Sequence, residues 1–340
     1  MARVFLTCTA EQLGAGSDRD LYALRTLRDC AAKDRRKAHQ PVADEREADW
    51  VLFVEGHVET GIWGEYLEGL RSTPLYRRRR ETCFVFSGMD LIVPTVPGVY
   101  ASVERDWQVP SLTRGGCYLL PRNPFLSHLP LPDLGREPAW LGSFVGCAAD
   151  IPIRLRLVEL KDERLCLRDN TKPFIASLRE GRSEDHERLK KDYISVTQDS
   201  KFVICPRGKG ASSIRLFEAM EMGRAPVVLS DAWVMPEGPR WDDFCLRVPE
   251  RHADRLGSLL REREPEAAAR GALARAEWET WFSPESLFHT LSQACEDLLR
   301  GRRAPYAWLA LRARLQFLRP LHLRNLLRRF RARFRKTAAP

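Results

Sequence analysis

Apolar residues gather in short runs at 4–6, 50–54, 83–86, 202–205 and 226–229, separated by longer stretches of mixed polarity. Unbroken runs of this length are how strands buried on both faces read, and their separation by helix-sized segments predicts a parallel α/β architecture. Several runs end in Gly, Ser or acidic residues, as in Val54-Glu55-Gly56-His57 and Phe86-Ser87-Gly88-Met89-Asp90. Loops at the carboxyl ends of parallel strands are where such sheets carry function. From 94 to 138 Pro and Gly are frequent and periodicity fades, until the strand-like stretch 139–146. A domain boundary near 140 follows. The second half then reads as strand 141–146, a helix over about 150–158, a loop at Asp169-Asn170-Thr171 and a polar helix over 184–197. A strand, helix and strand cross 201–230, followed by a short strand at 243–248 and helix over 250–276. Ser283-Pro284-Glu285 predicts the N-cap and first turn of a helix that sets Leu287, Leu291, Ala294 and Leu298 on one face.

With 340 residues, 44% of them apolar, the chain has material for two cores, which excludes disorder. The formal charge of +9 points at first to nucleic acid, but residues 301–340 hold eleven Arg, one Lys and no Asp or Glu. The tail therefore accounts for more than the whole excess, and the slightly acidic body argues against specific nucleic-acid binding. The nine cysteines are scattered, with no CxxC pair and no zinc-finger spacing, so reduced thiols in a cytoplasmic protein are expected. The N-terminal apolar stretch is too short for a signal peptide, and no run approaches the roughly 20 residues of a membrane-spanning helix.

The chemistry concentrates in residues 200–231, where a strand leads through Pro206-Arg207-Gly208-Lys209-Gly210-Ala211-Ser212-Ser213 into a helix, a Gly223 terminator and a second strand. Gly208 and Gly210 permit close backbone approach to a ligand, and Ser212 and Ser213 are suited to cap a helix whose first amides favour an anion. Arg207 and Arg215 bring guanidinium forks to the same end, which suits a diphosphate. Glu218, three positions after Arg215, shares its helix face and is placed to accept the hydroxyls of a ribose. The competing reading is an ordinary Arg215–Glu218 pair on a solvated face. The segment is not a Walker P-loop, for no Gly-Lys-Ser/Thr follows, and it lacks GxGxxG spacing.

From Ser200 to Pro236, with Trp233 in register and Val248-Pro249-Glu250 beyond, the chain resembles the exostosin family of glycosyltransferases. Fainter echoes, among them Asn123-Pro124-Phe125 and Ser143-Phe144-Val145-Gly146, extend the resemblance over about residues 50–295. It implies a GT-B fold: two Rossmann-like α/β domains facing a cleft, here 1–140 on the acceptor side and 141–300 binding the nucleotide sugar, followed by a basic amphipathic tail, 301–340. It also implies a UDP-sugar donor, a glycan acceptor and inverting transfer with no essential metal or other cofactor; the absence of an obvious DxD tract agrees. By position it assigns Arg207 to the diphosphate, the 210–213 turn to backbone donors and Glu218 to the ribose, and it adds Gly146 and Arg154 to the donor pocket.

Inverting transfer needs a general base for the acceptor hydroxyl. The expected candidates are Asp90, then Glu55, then His57, all at ends of N-terminal strands. Asp231 and Trp233 are expected at the sugar subsite, with a core role for Trp233 as the alternative. In the tail, Trp308, Leu311, Leu315 and Leu318 recur three or four apart, and after Pro320 so do Leu323, Leu327, Phe330 and Phe334, with Arg324, Arg328, Arg331 and Arg335 on another face. Two basic amphipathic helices on the inner face of an anionic membrane are expected, suiting a lipid-linked acceptor, with packing on the body as the alternative. The rival function is a noncatalytic subunit that keeps the nucleotide-sugar pocket within a glycan-assembly complex.

Overall fold

The computed structural model describes residues 1–14, 16, 18–56, 65–90, 92–119, 123–126, 137–179 and 183–318. The first unit runs β1 (Ala2–Thr7), α1 (Thr9–Gln12), α2 (Asp18–Lys33), β2 (His39–Val42), β3 (Trp50–Glu55), α3 (Glu65–Ser72), α4 (Pro74–Arg79), β4 (Cys83–Ser87), β5 (Gly98–Tyr100) and β6 (Thr113–Gly115). All pairings are parallel, in the order β2-β1-β3-β4-β5-β6. The second unit runs β7 (Trp140–Gly146), α5 (Pro152–Glu159), β8 (Leu165–Asp169), α6 (Thr171–Arg179), α7 (Ser183–Gln198), β9 (Ser200–Pro206), α8 (Ile214–Glu221), β10 (Ala225–Leu229), α9 (Trp241–Phe244), β11 (Leu246–Arg247), α10 (Leu256–Arg263) and α11 (Ala267–Trp281). Its parallel order is β11-β10-β9-β7-β8. In each sheet the first strand lies between the second and the third, so both are doubly wound with a switch point beside their first strand.

Period two explains the layers. Every residue of β3 is buried. Trp50, Leu52 and Val54 join Leu24 of α2 and Phe288, while Val51 and Phe53 join Leu67, Leu70 and Leu75 from α3 and α4. The apolar cluster under the first sheet continues through Val203, Phe217 and Trp233 into the second unit. The two halves are also joined through backbone: Glu104 bridges Trp233 antiparallel, Arg105 N donates to Ala232 O at 2.7 Å, and Val234 N donates to Val103 O at 3.0 Å.

Several sequence expectations need correction. The helix expected from Ser283 begins instead at Leu287, as α12 (Leu287–Arg300). Ser283 Oγ donates back to Glu279 O at 3.0 Å, and Ser286 occupies the N-cap position. Although expected with the 141–300 domain, α12 packs on α2 and β5 of the first unit. Near 243–248 only Leu246–Arg247 pairs as a strand, while 250–276 is helical as expected, made of α10 and α11 with a short 3₁₀ turn before each. In α13 (Tyr306–Leu315) the packed residues are Tyr306, Leu309 and Ala313, whereas Trp308, Leu311 and Leu315 are exposed. The second tail helix, after Pro320, lies outside the described residues, as does His57.

Candidate functional site: a cationic crevice at the second switch point

β7 and β9 diverge at the switch point of the second sheet, and a cavity of about 490 Å³ opens at their carboxyl ends. Gly146, Arg154, Tyr193, Arg215 and Glu218 line it. Arg154, on α5, is buried at 9% exposure. Its guanidinium donates only to carbonyls, to Arg207 O at 2.9 Å and Cys147 O at 2.8 Å. Among the described residues no carboxylate comes within 4 Å of it. Burial, and then the charge of Arg215, push its pKa down to about 9. Arg215, at the start of α8, donates Nε to Val145 O at 3.1 Å and lies 5.1 Å over the Phe144 ring, which Arg154 approaches at 5.7 Å. Two guanidinium groups thus crowd one ring. An unpaired buried cation is costly, and an anion seated between two removes that cost.

The helix behind them is arranged for the same end. Ser213 stands at the N-cap of α8, yet its side chain makes no capping bond, and its buried Oγ has no partner among the described residues. Ser212 N donates to Ser102 Oγ at 3.1 Å across the inter-unit contact. Gly223 ends the helix as expected, with φ 66° in the left-handed region. Glu218 does not pair with Arg215 on a solvated face. It accepts a 2.7 Å hydrogen bond from Tyr193 Oη, and burial pushes its pKa up against the opposing effects of Tyr193 and Arg215.

The glycines serve a different purpose from the expected one. A Cβ on Gly146 would stand 1.7 Å from Arg215 Nη2, and one on Gly208 would stand 3.2 Å from Arg154 Nη2, so both make room for the cations. A Cβ on Gly210 would lie 2.2 Å from Ser102 Oγ and 2.6 Å from Asp90 O, so Gly210 admits the opposing loop rather than a ligand. Arg207 is also engaged across the units, donating to Glu104 Oε1 at 2.9 Å. Its guanidinium therefore does not stand with Arg154 and Arg215 as an acid-free cation.

Of the acidic candidates, Asp90 sits against the glycine loop and accepts from Tyr118 Oη at 2.7 Å on Oδ1, leaving Oδ2 without a partner among the described residues. Burial and the Asp90 charge hold the Tyr118 pKa well up, so the hydroxyl remains a donor. Glu55 is corrected: it is 1% exposed, and Oε1 accepts from both Thr9 N at 2.9 Å and Thr9 Oγ1 at 2.6 Å, so no acceptor hydroxyl reaches it. Trp233 takes its alternative, core role: it is 3% exposed, with Nε1 donating to Ala101 O at 3.2 Å and its ring edge-on to Phe217. It pins the units together and borders a groove formed with the 234–247 stretch. Asp231 exchanges hydrogen bonds with Glu250: Asp231 N donates to Glu250 Oε1, and Glu250 N donates to Asp231 Oδ1.

The sequence reading does not reach Tyr193, Asn170, Phe174 or His186, all on the crevice wall, the His186 ring lying 5.5 Å from that of Phe174. The signal available for Tyr193 was an aromatic residue within a charged helix. A larger groove of about 590 Å³ lies between Arg105, Gln108 and the 233–247 stretch, but no buried acid-free cation faces it.

The site is therefore a cationic crevice in a protein of two doubly wound α/β units, the GT-B arrangement. Residues 159–263 match the model of the Exostosin GT47 domain, a similarity confined to the second unit. It is similar to Exostosin-1 of Drosophila melanogaster, 30% identical over 120 residues, covering 34% of this chain and 16% of the relative. It is also similar to Exostosin-2 of Homo sapiens, 25% identical over 194 residues, covering 54% of this chain and 26% of the relative. The chain thus spans about a quarter or less of the length of these relatives. Among solved structures, a glycosyltransferase from Rickettsia africae aligns at 10% identity over 88% of this chain and 99% of its own, with a TM-score of 0.40.

Proposed function

We propose that the chain is a glycosyltransferase that moves a sugar from a UDP-sugar to a glycan acceptor with inversion. One observation carries the reading: two crowded guanidinium groups with no acid partner among the described residues, Arg154 and Arg215, stand together where α8 starts, its N-cap Ser213 hydroxyl unbonded among those residues and Glu218 one turn on. A diphosphate fits the cations, and its ribose fits the carboxylate. As the sugar–phosphate bond breaks, negative charge grows on the departing UDP, and cations already in place stabilise it. This is the role a metal takes in other transferases; here the guanidinium groups and the α8 amides fill it without a cofactor. Asp90, whose Oδ1 is held by Tyr118 and whose Oδ2 has no partner among the described residues, takes the proton from the attacking hydroxyl.

The basic tail supports an acceptor that is lipid-linked. Residues 301–340 draw the enzyme to an anionic surface, and the inner face of the cell membrane is the proposed location. Among the described residues no helix is long and apolar enough to cross a membrane. The domain-like match to exostosins supports the reaction class.

Thermal unfolding with UDP and GDP tests the donor site. UDP at about 100 times its Kd should stabilise the wild type by about 2.7 kcal/mol, and Glu218→Ala should lose most of that gain. Equal protection of both proteins removes the ribose assignment. No protection of the wild type removes the proposal.

A further inference from the structure

We propose that the outward face of α13 is a docking surface for a bilayer containing anionic phospholipid. This extends the reading of the tail as membrane-attracted and adds an insertion element fixed to the body. Trp308, Leu311, Leu315 and Leu318 are 58%, 59%, 51% and 65% exposed. A spacing of three and four places Trp308, Leu311 and Leu315 on one stripe of α13, and Leu318 follows in the 3₁₀ turn at its end. The opposite face of the helix is anchored. Tyr306 Oη hydrogen-bonds Tyr76 Oη of α4, and Leu309 and Ala313 pack on Val109 and Leu112. The stripe is therefore held at a set angle to the first unit.

Charge selects the occupant. Residues 301–318 contain four Arg and no acidic residue, and just beyond the anchoring Tyr76 lie the exposed Arg77 and Arg80, whereas Arg78 pairs with Glu45 and Arg79 donates to the carbonyl of Ala48. Arg302 joins the two by donating to Glu81 O at 2.7 Å. A second copy of the chain would bring the same cations against this face. Residues 319–340, with seven Arg and one Lys, would do likewise. An anionic bilayer offers what neither does, phosphate oxygens for the guanidinium groups and an apolar interior for the stripe. At 10 residues, or about 15 Å, α13 is too short to span a bilayer and lies in its surface plane.

The test is sedimentation of the full chain with phosphatidylcholine vesicles, with or without phosphatidylglycerol, at low and high salt. Wild type, Leu311→Ser with Leu315→Ser, and a chain ending at residue 318 are compared. The wild type should bind the anionic vesicles, and part of that binding should survive high salt. The double variant should lose the salt-resistant part by at least tenfold with its melting temperature unchanged, since both residues are exposed. The shortened chain should keep the salt-resistant part and lose low-salt affinity. Wild-type binding abolished by salt, unaltered binding of the double variant, or a change confined to the variant's oligomeric state each overturns the proposal. The UDP shift measured on the same samples reads the donor crevice independently, so a failure of one reading is not mistaken for a failure of the other.

Discussion

The two sheets share one strand order, and so each has a crevice beside its first strand, yet the crevices are treated in opposite ways. In the first unit, between β1 and β3, the protein fills the place itself: the Glu55 carboxylate takes the amide and hydroxyl of Thr9 and is sealed from solvent. In the second, between β7 and β9, the N-cap hydroxyl of Ser213 has no partner among the described residues, and there the two cations meet carbonyls and the rings of Phe144 and Tyr193. Topology says where a ligand is able to bind. Which of two equivalent places is used follows from the hydrogen-bond account of each, since buried polar groups left unsatisfied are rare and costly.

The largest effect bearing on this contrast is expected from Asp90→Asn, which keeps the hydrogen bond from Tyr118 but removes the basic oxygen. Turnover of a UDP-sugar should fall by about 10²–10⁴-fold, with UDP binding in the thermal assay unchanged. Activity within a few-fold of wild type would move the base elsewhere in the cleft. Next comes Glu55→Ala, which leaves buried Thr9 groups without an acceptor and should cost about 1–3 kcal/mol of stability, measured by denaturant unfolding, while UDP affinity holds. If stability holds and UDP affinity drops, the two crevices are not opposites after all.

The smallest effect is expected from Tyr193→Phe, which removes one hydrogen bond to Glu218 worth about 0.5–1.5 kcal/mol, so UDP should bind only a few-fold more weakly by calorimetry. The pH dependence sharpens this. Burial raises the Glu218 pKa, so this carboxyl takes up its proton at a higher pH than a free glutamate near 4.3. Only the ionised form accepts two ribose hydroxyls, so UDP affinity should fall as pH drops through the raised value. Glu218→Gln should abolish that dependence. Stability of the empty protein runs the other way: the raised pKa favours folding below the unfolded value, and that contribution is lost as pH rises through the folded one.

The buried strands were legible because parallel strands covered on both faces are apolar throughout, and β1, β3, β4, β7, β9 and β10 all follow such runs. The sequence hid β5 and β6, three residues each within the Pro- and Gly-rich stretch, and β8, an edge strand whose second half is polar. Three residues show no period. For the candidate site, Arg215, Glu218 and Ser213 could be read together because one helix start carries all three. Tyr193 and Asn170 could not, for they reach the crevice from α7 and the end of β8, and proximity of that kind is a product of the fold. Glu55 and Asp90 looked alike as acidic residues after strands; only the partners each carboxylate meets separate them.

The return of α12 to the first sheet has a further consequence. Phe288, Leu291 and Cys295 are packed with Val4, Leu24 and Trp50, so the polypeptide is stitched across its own midpoint. A fragment cut near 140 is deprived of one wall and shows raw hydrocarbon to water, while the complementary piece ends in a helix with nothing to cover. Neither half is an autonomous module. Mixed together, however, each carries what the other lacks, which makes this chain a scaffold for reconstitution from two separately made pieces.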